Sequence, residues 1–458
     1  MKLQRKAGVA VLVAALAATT GCSASAGTGG DSEEEITSLS VVYRESPFVT
    51  AVMEAAKTDF EALHPEVSVE FEPISASSSD YFTKVALMNQ SKSTAADVIY
   101  EDGFNVTADA EAGYLHPLAD QLADWDDWAQ YSDIVRQNGT SKVDGEVYSI
   151  PLGTDNQAIW FNKDLFAQAG LPEDWQPESW QDILDAAAVL KEKLPDVIPL
   201  NMYTTKAAGE ATTLRGMLNL ISGTPGSLTD TLFDESDQKW VRGSQGVTDA
   251  LTFMKTAYDD GYLPDSTVMQ DSNLENVLLE QLVPNGEVAM FIDGSWIWSR
   301  WQPTGTKPWP EWADTLGLAS LPTQDGEAPG TTSISGGWTL AMSSHAPNKT
   351  IAFDFMTAAA SKENALLYAL GAGSIPVRDD VATDEEYLSS NPTAPFFADL
   401  VQYTHFRPGL EVYPQVSGLI QETAEQVTVG GESVDDAVEK YDSQLERLVG
   451  AKAIKTAE

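Results

Sequence analysis

Residues 285–298 read N-G-E-V-A-M-F-I-D-G-S-W-I-W. The Asn-Gly pair predicts a turn, and the apolar run at 288–292 has the length and branched content of a buried strand. The run ends in Asp293-Gly294-Ser295, followed at once by Trp296 and Trp298. A polar, glycine-containing turn at the end of a buried strand is where an open α/β sheet places its ligand crevice. Judged alone, both rings would serve equally well as core, because aromatic side chains bury large areas. The flanking segments decide between the two readings.

Upstream, 39–43, 67–71 and 97–100 read as strands. Between them lie helices near 48–63, with Val52, Ala55, Ala56, Phe60 and Leu63 on one face, and near 80–90. This alternation predicts α/β architecture with doubly wound, largely parallel sheets. Loops after such strands lie at the crevice, which nominates Arg44, Glu45, Glu101, Asp102, Phe104 and Asn105. The stretch K-V-D-G-E-V-Y-S-I-P-L-G at 142–153 predicts a turn and then an extended passage restrained by Pro151, and 374–378 is a second such passage. Ser179 to Asp182 fits a capping box, which makes Trp175 and Trp180 structural. Gly336-Gly337-Trp338 precedes a strand at 339–342, Asn348 caps a helix, and the tail at 433–449 is an amphipathic helix.

The chain of 458 residues exceeds what one hydrophobic core usually supports, and its 43% apolar content is that of a globular protein. A net charge of −42 spread along the sequence offers no basic patch for nucleic acid. Lys2, Arg5 and Lys6, an apolar run at 9–18 and then Thr19-Thr20-Gly21-Cys22 resemble a bacterial lipoprotein signal at 1–21. The resemblance implies lipid on Cys22, followed by a flexible tether at 22–36. Cys22 is the one cysteine, so an intrachain disulfide or a cysteine-based metal site is excluded. The four histidines have no metal-ligand spacing, and neither a metal nor a cofactor is expected.

Four segments together resemble the family-1 extracellular solute-binding proteins of bacterial ABC importers, to which maltose-binding protein belongs. They are V-D-G-E-V-Y-S-I-P with A-I-W-F-N-K-D-L-F-A-Q-A-G-L at 143–171, the opening stretch at 285–296, A-P-N-K-T-I-A-F-D-F-M at 346–356, and G-S-I-P-V-R at 373–378. The likeness implies a periplasmic-binding-protein-like fold of two α/β lobes closing like a hinge on a ligand between them. It places three crossings near Pro151, Leu318 and Pro376. Lobe one would be 37–151 plus 318–375, and lobe two 152–317 plus 376–458.

Sugars need flat aromatic faces for their C–H side and planar polar groups for their hydroxyl edge. The resemblance assigns Trp296 to stacking and Asp155 to the cleft. It also puts Gly336, Gly337 and Trp338 at a close backbone approach, and Glu101, Asp102 and Asn105 in a hydroxyl-binding loop. Glu101 stands where maltose-binding protein has an aromatic residue. Arg378 would either fork to two hydroxyls or brace the hinge. Tyr413 and Arg407 are further candidates, while Trp298 and Trp301 remain open between site and packing. The implied function is a monomeric, lipid-anchored, extracytoplasmic carbohydrate-binding component that delivers an oligosaccharide to a membrane permease, with no chemistry of its own. Two alternatives stand beside it. One is the same role with a polyol, peptide or phosphorylated ligand. The other is a secreted glycosidase using Asp155 and Asp293 as paired carboxylates.

Overall fold

The computed structural model describes residues 35–76 and 78–457. The leader, Cys22 and nearly all of the tether lie outside the described residues.

Short apolar strands build the first sheet. Ser38–Arg44 buries Leu39, Val41, Val42 and Tyr43 and pairs in parallel with Ser68–Ile74 and Val98–Asp102. Trp338–Met342 and Ser149–Pro151 complete the order 68–74, 38–44, 98–102, 338–342, 149–151. Trp338–Met342 runs antiparallel to both neighbours, so this sheet is mixed and not largely parallel. It enters from the other half of the molecule, without the crossover helix that forces consecutive strands parallel.

The helix Pro47–Leu63 starts where Ser46 Oγ accepts the Val49 N–H at 3.3 Å. It lays Val49, Val52, Met53, Ala56 and Phe60 against the sheet and the Asn348-capped helix Lys349–Ala359. Complete burial of a side chain such as Phe60 contributes about 1.5–3 kcal/mol. Leu63, expected on the same face, is 72% exposed because the helix ends there and turns away.

The second sheet has the order 316–319, 157–162, 288–294, 198–201. Every residue of Gln157–Asn162 and Val288–Gly294 is buried, as the run at 288–292 predicts. The two strands are antiparallel, with Gln157 opposite Gly294. Helices including Trp180–Lys193, Gln245–Asp259, Tyr413–Val427 and Val434–Val449 cover this half in one apolar core. Ser179 and Asp182 form the expected capping box, and Trp175 and Trp180 are buried.

Three chain passages meet between the sheets. Thr154 and Ile375 exchange backbone hydrogen bonds of 3.0 and 2.8 Å. Thr154 Oγ1 also donates to Gly336 O at 3.0 Å, and Leu152 N donates to Trp338 O at 2.9 Å. Gly337 has φ +134°, and a Cβ there would lie 2.1 Å from Gly153 O, so only glycine lets these passages cross so closely. Strand pairing moves the second passage away from Leu318. Leu316–Ala319 is antiparallel to Gln157–Asn162, and Ser333–Ser335 still belongs to this half through Gln157 and Thr404–Phe406. The chain reaches the first sheet only after Gly336-Gly337.

Candidate functional site

The turn after Val288–Gly294 buries its tryptophans to different depths. Trp298 and Trp301 are each 1% exposed and pack with Trp312, Trp301 also against Trp160. Their indole N–H groups donate to Gly373 O and Leu279 O, which settles them as core. Trp296 is half-buried, with its ring folded over Gly294, where a Cβ would sit 2.1 Å from Cζ3. The Arg215 guanidinium lies 5.3 Å from the same ring.

Arg215 is the centre of a buried ionic cluster. It donates to Asp293 Oδ1 at 2.8 Å and to Glu275 Oε2 at 2.6 Å, while Tyr203 donates to Asp293 Oδ2 at 2.9 Å. The pull of Arg215 holds the Glu275 carboxyl below its usual range. Asp293 is fully buried and accepts a further bond from Gly294 N. It supports the turn from behind and offers no oxygen to a substrate.

The carboxyl edge of the first sheet faces this turn. Asp102 caps the helix Gly103–Glu111 by accepting from Phe104 N, and also accepts from Arg407 Nη2 at 3.3 Å. Arg407 comes from the loop after Thr404–Phe406, and its Nη1 donates to Glu210 Oε1 at 3.0 Å. Glu210 in turn accepts from the Tyr413 hydroxyl at 2.8 Å and the Ser417 hydroxyl at 2.5 Å. The guanidinium also lies 4.3 Å from the Phe104 ring centroid. Asp155 accepts from Gly336 N at 3.1 Å. A Cβ on Gly336 would stand 3.5 Å from Arg407 Nη2 and 3.6 Å from Asp155 Oδ2, so both groups converge on this glycine. Burial, and then the negative charge of Asp102, push the Asp155 carboxyl up to about 7 against the opposing pull of Arg407.

An aromatic wall stands beside these groups. Trp338 stacks on Tyr100 at 4.6 Å with only 6° between planes, and Phe82 lies 5.7 Å from the same indole. Phe82 also meets Phe104 edge-on at 5.2 Å. Between Phe82 and Tyr100 of this wall and Leu410, Glu411 and Pro414 lies a hollow of about 210 Å³, lined also by Glu101, Asn105 and Asp109. A second, much smaller hollow of about 20 Å³ is lined by Gly103, Phe104, Asn138, Ser335, Gly336 and Arg407.

Asp102, Asp155, Gly336 and Arg407 therefore form one cluster, Glu101 and Asn105 line the adjoining hollow, and Trp296 caps Arg215. Tyr413 is buried behind Glu210 and serves to position it. Glu45 is exposed just past Ser38–Arg44 on the same sheet edge. Arg378 is not a ligand fork. It is 2% exposed and donates to Asp127, Asp380 and Ala360 O, because Val377 and the following helix dock on the first-sheet half. Sequence reading passed over Arg215, Glu210, Tyr203, Ser417 and Asp109. Each lies inside a helical or irregular stretch with no local signal of its role. Among the described residues, no group of three or more His, Cys, Asp or Glu could hold a metal ion, and no helix is long and apolar enough to cross a membrane.

The family model for bacterial extracellular solute-binding proteins matches residues 45–366. This chain belongs to that family. Solved structures of similar fold include MalE, the sugar-binding protein of Xanthomonas citri, at 20% identity and TM-score 0.74 over 90% of this chain and 97% of that one. The GacH receptor of Streptomyces glaucescens GLA.O, solved unliganded and with acarbose, is 22% identical with TM-score 0.71 over 91% and 100%. UgpB of Mycobacterium tuberculosis, solved with glycerophosphocholine, is 17% identical with TM-score 0.68 over 91% and 98%. At these identities the likeness establishes the fold of this solute-binding protein, two lobes with α/β architecture.

Proposed function

We propose that this solute-binding protein captures a carbohydrate, of more than one ring, between its lobes and delivers it to an ABC importer permease without altering it. The observation that carries the reading is the pairing of aromatic faces on both lobes, Trp296 on one and the Phe82 and Trp338 wall on the other, with a polar cluster between them. Faces suit sugar C–H groups, and the carboxyls of Asp102 and Asp155 with the Arg407 guanidinium suit hydroxyls. The lobes in this proposal divide at Pro151, at Gly336-Gly337 and near Pro376. A phosphorylated ligand is the weaker alternative, because Arg407 is already held by two carboxylates and no Lys or Arg lines the larger hollow. The glycosidase alternative loses its second carboxylate, since Asp293 is fully buried against Arg215.

A thermal-shift screen against neutral sugars, polyols, peptides and glycerophosphodiesters tests the ligand class. A cognate sugar at about 100 times its dissociation constant adds ~2.7 kcal/mol of stability. A shift with peptides or phosphodiesters and none with sugars overturns the reading. The proposal includes a lipid anchor at Cys22 on the extracytoplasmic face, from the leader motif. Cys22→Ser should then leave the washed membrane fraction, and its retention there would refute the anchor.

A further inference from the structure

The 210 Å³ hollow contains an acidic pair that the carbohydrate reading leaves unused. Glu101 is 3% exposed at the end of Val98–Asp102, and it bonds through its carboxyl to Asp109 on the following helix. Its Oε2 has no hydrogen-bond partner among the described residues. A buried carboxyl oxygen without a partner costs free energy, and a ligand donor placed there would recover it. Glu411 adds a third carboxyl to the lining, which includes no Lys or Arg. Tyr81, Phe82 and Tyr100 supply its aromatic wall.

We propose that this hollow is an ammonium subsite, and that the transported ligand is an amino sugar whose protonated amine binds the Glu101 and Asp109 pair beside the Tyr81 and Phe82 rings. The proposal rests on the carbohydrate reading and narrows its ligand class. Two carboxyls in contact do not both ionise, so the pair shares one proton and has a net single negative charge. Burial, and then Asp109, hold the Glu101 proton well above the usual carboxyl range, as such sharing requires. An ammonium brings three donors and no acceptor, and so suits an unpaired carboxyl oxygen better than a hydroxyl does. Aromatic faces add a cation–π contribution that a neutral ring lacks. An anionic or phosphorylated sugar would meet three carboxyls with no compensating cation in this hollow.

Calorimetric titration of the whole protein with cellobiose, chitobiose and N,N′-diacetylchitobiose compares hydroxyl, ammonium and acetamide on one disaccharide skeleton. Glucose, glucosamine and N-acetylglucosamine repeat the comparison on a single ring. At low salt and a pH of about 7, the amine should bind at least about tenfold tighter than its hydroxyl twin, and the advantage should shrink as salt rises. Replacing both carboxyls, Glu101→Gln with Asp109→Asn, should bring the amine-to-hydroxyl affinity ratio close to one, because either change alone leaves a carboxyl that can hold the single charge. If the double variant melts early, titrating the unaltered protein at a pH of about 10, where the amine is neutral, should bring the same ratio close to one. Equal or tighter binding of the hydroxyl or acetamide sugars, or a ratio unchanged in a folded variant, overturns the ammonium subsite and leaves the carbohydrate reading intact. Absence of binding by all of these sugars also overturns it, and the broad screen above then decides the carbohydrate reading separately.

Discussion

Arg215 and Arg407 are both buried guanidinium groups held between two carboxylates, but their partners come from different places. Arg215, 8% exposed, binds Asp293 and Glu275 at 2.8 and 2.6 Å, and all three residues belong to the half built on the second sheet. Arg407, 7% exposed, binds Glu210 of its own half at 3.0 Å and Asp102 of the opposite half at 3.3 Å. Similar chemistry thus enters two different equilibria. Breaking the first pair leaves buried charges inside one lobe, so its cost falls on folding. Breaking the second releases a contact between lobes, so its cost falls on their opening.

The largest effect should come from Arg215→Ala. Removing one partner of a buried ion pair costs about 3–5 kcal/mol, here by stranding Asp293 and Glu275, and urea unfolding measures it. A loss below ~1 kcal/mol would mean the cluster does not brace the lobe.

The two tryptophans of the same turn extend the contrast. Trp298→Ala empties a sealed core site and should destabilise by about 3–5 kcal/mol. Trp296→Ala should cost less in stability while weakening sugar affinity by ~2 kcal/mol, about thirtyfold. Denaturant unfolding paired with sugar titration separates them, and strong destabilisation by Trp296→Ala with affinity retained would move the stacking face elsewhere.

Arg407→Ala should leave each lobe folded and shift the balance toward an open form by about tenfold, or 1.4 kcal/mol. Small-angle scattering of the unliganded protein should then give a larger radius of gyration. An unchanged radius would show that the Asp102 contact does not hold the lobes together.

The smallest effect concerns Asp155. Its folded carboxyl sits at about 7, above the unfolded value near 4, so the folded state binds a proton that the unfolded chain has released. The stability it contributes is complete below pH ~4 and is lost as pH rises toward ~7. Discounted for partial solvent access, the loss is about 1 kcal/mol. Asp155→Asn should flatten the stability profile across that window, and an unaltered slope would place the titration on another group.

How far these features were legible follows from how local they are. The buried strand at 288–292, the Ser179 capping box and the Asn348 cap depend on residues close along the chain, and the structure agrees with each. The site's polar partners do not. Arg215 and Asp293 are 78 residues apart, Arg407 and Asp102 are 305 apart, and neither arginine has a neighbouring acid that announces its role. Arg378 stayed open between a ligand fork and a hinge brace, because an arginine after a proline-restrained passage has the same local pattern in both; its bonds to Asp127 and Asp380 are those of a brace.

By itself, the sequence determined the periods, caps and turns of this solute-binding protein, together with the family resemblance they compose. These are short-range patterns that burial and backbone hydrogen bonding read within a few residues. Only folding selected which tryptophan entered the core, where the second passage crosses, and which carboxylates share Arg407. Those outcomes depend on packing between distant segments, where shape, desolvation and charge are satisfied jointly and no single stretch contains both partners.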